Sequence, residues 1–111
     1  MIEEGSSVAW LWPRCATTTT LTAAELSDVC ALPGRVGRAR SRAGCDLAAG
    51  HDGPHAAFVV AADDGDQWWW IRWSVQHRHL ARSAICDRAD DGSGDDCLLP
   101  AAHPGRHSFQ M

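Results

Sequence analysis

Lysine, asparagine and tyrosine are absent from this chain of 111 residues. All ten basic residues are therefore arginine, set against fourteen acids for a net charge of −4. That balance excludes a general nucleic-acid polycation. Long apolar runs are absent too: none approaches the roughly eighteen residues that a membrane span needs, so no membrane association is expected. The opening MIEEGSSVAWLWP has neither the basic stretch nor the apolar stretch of a signal peptide. The expected location is the cytoplasm of the producing cell, where disulfides are rare. The cysteine count, five, is odd and agrees with that expectation. A chain this short makes one domain or two very small ones, with a core thin enough that metals or oligomerisation often help.

Local signals divide the chain. Ser7 to Trp12 alternates loosely and predicts a short strand, ended by Pro13. TTTTLTAAELSDVCALPG predicts a helix. Thr22 and Glu25 have capping-box spacing, Leu21 and Leu26 suit a hydrophobic staple, and Pro33-Gly34 stops the run. Leu26, Val29 and Cys30 are expected on one face of it. GRVGRARSRAG then predicts a flexible basic loop. AAFVVAA and QWWWIRWSV, on either side of DDGD, predict a β-hairpin. Gln76 to Ile85 is a connector, and RADDGSGDD is an acidic loop.

What is present, twice, is a pattern of cysteine and histidine. CDLAAGHDGPH runs from Cys45 to His55, and CLLPAAHPGRH from Cys97 to His107. Each is Cys, five residues, His, three residues, His, with a glycine two places before the last His (Gly53 and Gly105). Treating positions as independent, one such skeleton is expected roughly 0.015 times in a chain of this composition. Each copy also has a cysteine upstream, Cys30 and Cys86. Two thiolates and two imidazoles make a closed tetrahedral zinc set. The predicted metal ligands are Cys30, Cys45, His51 and His55 for one site, and Cys86, Cys97, His103 and His107 for the other. Cys15 is left over. It reads as a buried free thiol, with replacement of Cys30 as a ligand the alternative.

The residues between the histidines, Asp52-Gly53-Pro54 and Pro104-Gly105-Arg106, oppose a helix and include no Glu, which disfavours an HExxH hydrolase. The wide spacing of Cys30 from Cys45, and of Cys86 from Cys97, disfavours a DNA-reading finger. A turn-borne site of the knuckle or ribbon kind is expected instead.

The run C-x-L-x-x-(G)-H-x-G-x-H resembles a recurrent motif of small actinobacterial and actinophage proteins that carry a further upstream Cys and are taken to bind zinc. The arginine-only, Ala- and Gly-rich composition suits a GC-rich genome of that kind. The resemblance covers the two clusters, under a third of the chain. It implies metal ligation and supplies no activity. The second copy departs from it at Ala102, where the first has Gly50.

Other features are weaker. His77 and His79 have no cysteine or acid nearby and read as solvent-facing. Trp68, Trp69, Trp70 and Trp73 load both faces of one strand, either as core or with one face left for a partner. The whole predicts an α+β protein with two Cys2His2 knuckle- or ribbon-like units, two structural zinc ions per chain and a Trp-rich β-hairpin. Residues 1–20 form an N-terminal strand and linker, 21–75 the first zinc unit with the hairpin, and 76–111 the second unit. The expected function is that of a non-enzymatic interaction or assembly protein, such as a phage virion component. Trp68, Trp69, Trp70 and Trp73 would contact a protein partner or another copy. The alternative is a small nucleic-acid-binding zinc protein that uses Arg35, Arg38, Arg40 and Arg42.

Overall fold

A computed structural model describes residues 13–110; the strand expected over Ser7–Trp12 lies outside them. The fold is α+β. In chain order it comprises β1 (Thr18–Thr20), α1 (Ala23–Cys30), β2 (Arg42–Gly44), β3 (His55–Ala62), β4 (Gln67–Trp73) and β5 (Arg78–Arg82). β1 and β2 form a two-stranded antiparallel sheet, and β3-β4-β5 an antiparallel meander. No helix among the described residues is long and apolar enough to cross a membrane.

α1 starts where the capping box places it. Thr22 Oγ1 accepts from the Glu25 N–H at 3.1 Å, and Glu25 Oε1 accepts from the Thr22 N–H at 2.8 Å. The threonines before it, part of the run expected to be helical, are extended instead. Their branched Cβ atoms favour extended backbone, and Thr18, Thr19 and Thr20 pair with Gly44, Ala43 and Arg42. The basic segment is correspondingly less of a loop than expected. Val36 bridges to Ala61, and Arg42–Gly44 is β2.

β3 and β4 are the expected hairpin, joined through Asp63–Gly65. Asp63 and Asp64 both adopt positive φ, 51° and 55°, a conformation that Asp tolerates better than most residues. A bulge between Phe58 and Val60 shifts the register. It breaks strict alternation, so Val59 and Val60 are both buried. Pro33-Gly34 docks on this turn: the Asp63 N–H reaches Pro33 O at 3.0 Å, and the Asp64 N–H reaches Gly34 O at 2.8 Å. A Cβ on Gly34 (φ +64°) would lie 2.8 Å from the Asp64 nitrogen, so only glycine allows this approach. The connector after Trp73 holds a third strand, β5. It pairs with β4 and so carries one sheet across the boundary expected at 75/76.

One core serves all these elements. Leu21 and Val29 meet Ala43, Leu47, Ala57, Val60, Ile71, Trp73, Cys97 and Leu99, with Leu26 packed at the margin. Arg78, at the start of β5, ties the sheet to α1 and β1. Its guanidinium donates to both Glu25 carboxylate oxygens, at 2.7 and 3.2 Å, and to Thr19 Oγ1 at 2.7 Å. Hydrogen bonding from Arg78 holds the Glu25 carboxyl below its ordinary range. A carboxylate with a depressed folded value contributes stability above its unfolded value of about 4.3, and that contribution is lost as pH falls through the folded value. Glu25→Gln, which keeps a capping acceptor but no charge, is expected to lower unfolding free energy at pH 7 by about 1–2 kcal/mol. The gap from wild type should close below about pH 4, as measured by urea unfolding across pH.

Candidate metal centres

Each Cys-His-His run passes from a ladder of backbone hydrogen bonds into a tight turn; the first then enters a strand, the second a short 3-10 helix at Ser108–Gln110. Cys45 follows β2, and His55 opens β3. A partner segment runs antiparallel to the stretch after the second cysteine. In the first unit that partner is Pro13 to Thr17. The Cys15 N–H donates to Leu47 O (2.8 Å), the Cys45 N–H to Thr17 O (2.8 Å), and the Ala49 N–H to Pro13 O (2.8 Å). In the second unit it is Ala84 to Arg88. The Cys86 N–H donates to Leu99 O (2.7 Å), the Cys97 N–H to Arg88 O (2.9 Å), and the Ala101 N–H to Ala84 O (2.8 Å). The two ladders match bond for bond. They identify Cys15, not Cys30, as the counterpart of Cys86.

The donor atoms repeat in the same way. Cys15 Sγ lies 3.4 Å from His55 Nδ1, and Cys45 Sγ lies 3.5 Å from His51 Nε2. Cys86 Sγ lies 3.5 Å from His107 Nδ1, and Cys97 Sγ lies 3.4 Å from His103 Nε2. The four donors of each group, Cys15, Cys45, His51 and His55, or Cys86, Cys97, His103 and His107, all lie within 4.8 Å of one another. Each group could hold one metal ion. The paired rings stand perpendicular in both units, at 89°, with centroids 5.1 and 5.2 Å apart.

The surroundings orient the donors. His51 Nδ1 faces Asp52 O and His103 Nδ1 faces Pro104 O, both at 3.1 Å. A proton held there leaves each Nε2 lone pair free, the usual second contact of a ligating histidine. His55 packs against Trp73, its cross-strand partner, at 5.2 Å, and His107 stacks on Phe109 at 5.3 Å. Backbone N–H groups face the sulfurs; that of Ser108 lies 3.4 Å from Cys97 Sγ.

These contacts set the charge states. Burial would raise the Cys15 thiol, but hydrogen bonds from the Thr17 side chain and backbone outweigh it and bring Cys15 down to about 7. Burial pushes Cys45 up to about 11, with the neighbouring Cys15 charge adding to the rise. Cys86 is raised by burial as well. His55 and His107 are lowered, first by burial and then by the partner histidines. Two cysteines whose ionisation is mutually opposed, beside two imidazoles, form a donor set that suits a cation.

Cys30 is the correction. It ends α1 and is exposed, while Val29 beside it is fully buried. A helical residue cannot exchange the two ladder bonds that position Cys15 and Cys86. The matching apolar neighbours Val29 and Ile85 suggested Cys30. The better signal was the extended, Pro-led context of Cys15, which like Cys86 sits where a strand fits. Of the four tryptophans expected at a docking surface, Trp70 and Trp73 are 3% and 6% exposed and belong to the interior, while Trp68 and Trp69 are half-buried. Arg35, Arg38, Arg40 and Arg42 are exposed, with the Arg40 guanidinium 5.9 Å over the Phe58 ring. His77 and His79 face solvent, as expected.

Compared with family models, with curated proteins and with solved structures, the chain finds no match.

Two outcomes follow from the repeat. Cys15→Ala should remove one equivalent of bound metal per chain and Cys30→Ala none, by elemental analysis of the purified variants. Ala102 adopts φ +61° where Gly50 has +81°. Left-handed backbone costs an alanine about 1–2 kcal/mol. Ala102→Gly should therefore raise unfolding free energy, by up to about 1 kcal/mol after the entropy cost of glycine, read in denaturant melts.

Proposed function

We propose that each Cys2His2 group binds a zinc ion as a structural centre, and that the chain is a non-enzymatic, zinc-stabilised interaction protein. The observation that carries this reading is the donor spacing. A tetrahedral zinc with bonds of about 2.3 Å to sulfur and about 2.05 Å to nitrogen sets sulfur and nitrogen about 3.5 Å apart. Two of the four sulfur–nitrogen pairs in each group measure 3.4 to 3.5 Å, and the others lie within 4.8 Å. Two thiolates and two imidazoles suit zinc over harder ions. Four protein donors leave no open position for a substrate or an activated water, which favours a structural over a catalytic role.

An interaction role rests on what remains exposed. Trp68, Phe58 and the 55%-exposed Leu98 line a groove of about 340 Å³, with Arg14 and Arg40 at its side. Half-exposed aromatics beside arginine are the residue types that dominate protein interfaces.

Protein purified without added metal should carry about two zinc per chain. His55→Ala and His107→Ala should each lose one. A strong chelator should abolish the cooperative thermal transition, since metal binding and folding are one equilibrium in domains of this kind. Folded wild-type protein devoid of zinc would refute the reading.

A further inference from the structure

Beside the second centre, a cavity of about 240 Å³ opens over the β4–β5 ladder. Its walls are Trp70, Arg72, His79, Ala81, Arg82 and Ser83. Three of the six are basic and none is acidic. Arg72 and His79 stand directly opposite in the ladder. Side chains opposite each other in a ladder lie close enough to contact one ligand together.

Arg72 is fixed in position: its Nη2 donates to Ala101 O at 2.9 Å and lies 3.5 Å from Ser83 Oγ. Nη2 is the only Arg72 nitrogen that these bonds use, so the rest of the fork is available. Arg82 and His79 are exposed, with no side-chain partner among the described residues. Asp66 shares a neighbouring hollow with Arg82 and forms no ion pair with it. Trp70, 3% exposed, contributes its ring to the wall of the cavity.

We infer that this cavity binds a phosphate group. Arginine matches phosphate oxygens in a planar, two-point fashion. Here one guanidinium is held ready by Ala101, a second is free to close, and His79 and Ser83 supply further polar contacts. The cavity uses none of the metal donors, so the inference stands apart from the zinc reading. The phosphate can belong to a small phosphomonoester or to a single-stranded nucleic acid, whose backbone presents the same group.

The test uses the full chain as purified, at low ionic strength, with ¹⁵N-resolved indole resonances as the readout. Inorganic phosphate and a thymidine octanucleotide are titrated separately, against sodium chloride at equal ionic strength. The expected result is saturable movement of the Trp70 indole signal, weakened at least tenfold in Arg82→Ala and in His79→Ala. Both residues are exposed and have no side-chain partner among the described residues, so these variants should fold; unchanged melting curves verify it. Tighter binding of the octanucleotide than of phosphate assigns the site to a nucleic-acid backbone. The reverse order assigns it to a free phosphate group. No movement with either probe beyond the chloride control, or equal affinity in wild type and Arg82→Ala, overturns the inference.

Discussion

The rest of this fold depends on one constraint: two cysteine sulfurs held so close that ionising one opposes ionising the other. Each unit creates it in the same way. A short extended segment bearing one cysteine exchanges backbone hydrogen bonds with the segment that follows a second cysteine, and the ladder sets the two sulfurs at the same end. The turn beyond then returns two imidazoles over them. The depressed Cys15 and the raised Cys45 express the conflict, since ionising the first opposes ionising the second. A bound cation removes that conflict. The rest of the chain supports the two ladders: β3 grows directly out of His55, β4 supplies Trp73 to its ring, and Arg72 holds the backbone at Ala101.

Much of this was legible in the sequence, for identifiable reasons. The capping box at Thr22 and Glu25, the hairpin around Asp63–Gly65 and the doubled Cys-x5-His-x3-His skeleton are local signals, each decided within a dozen residues. Seven of the eight predicted ligands fall in the two groups of donors. The eighth failed because the choice between Cys15 and Cys30 is not local. Both precede Cys45, and the apolar neighbour that Cys30 shares with Cys86, Val29 matching Ile85, favoured the nearer. What decides is backbone: a ligand must lie on an extended segment that can join the ladder, and Cys30 lies in a helix. Thr18–Thr20 misled for a similar reason, since a good cap three residues on made the run look helical.

The tryptophans show a second limit. Alternation along β4 correctly puts Trp68 and Trp70 on one side and Trp69, Ile71 and Trp73 on the other. It cannot say what covers each side. Trp73 packs against a metal-centre histidine, and Trp70 lies beneath the polar walls of a cavity. Aromatic density that resembled a docking strand is therefore largely interior, in a protein whose other buried residues are mostly alanine and valine.

Gly105 gives the two units a relation beyond resemblance. A Cβ there would lie 3.1 Å from the Cβ of His51, so the turn of the second unit rests against a donor of the first. The units differ in how far apart their cysteines are in sequence: thirty residues from Cys15 to Cys45, but eleven from Cys86 to Cys97. Closing the longer loop costs about 0.9 kcal/mol more in chain entropy, and the longer one must also fold β1, α1 and β2 on the way. The C-terminal unit therefore brings its two cysteines together at the lower entropic cost, and the turn at Gly105 couples that closure to the position of His51 in the other unit.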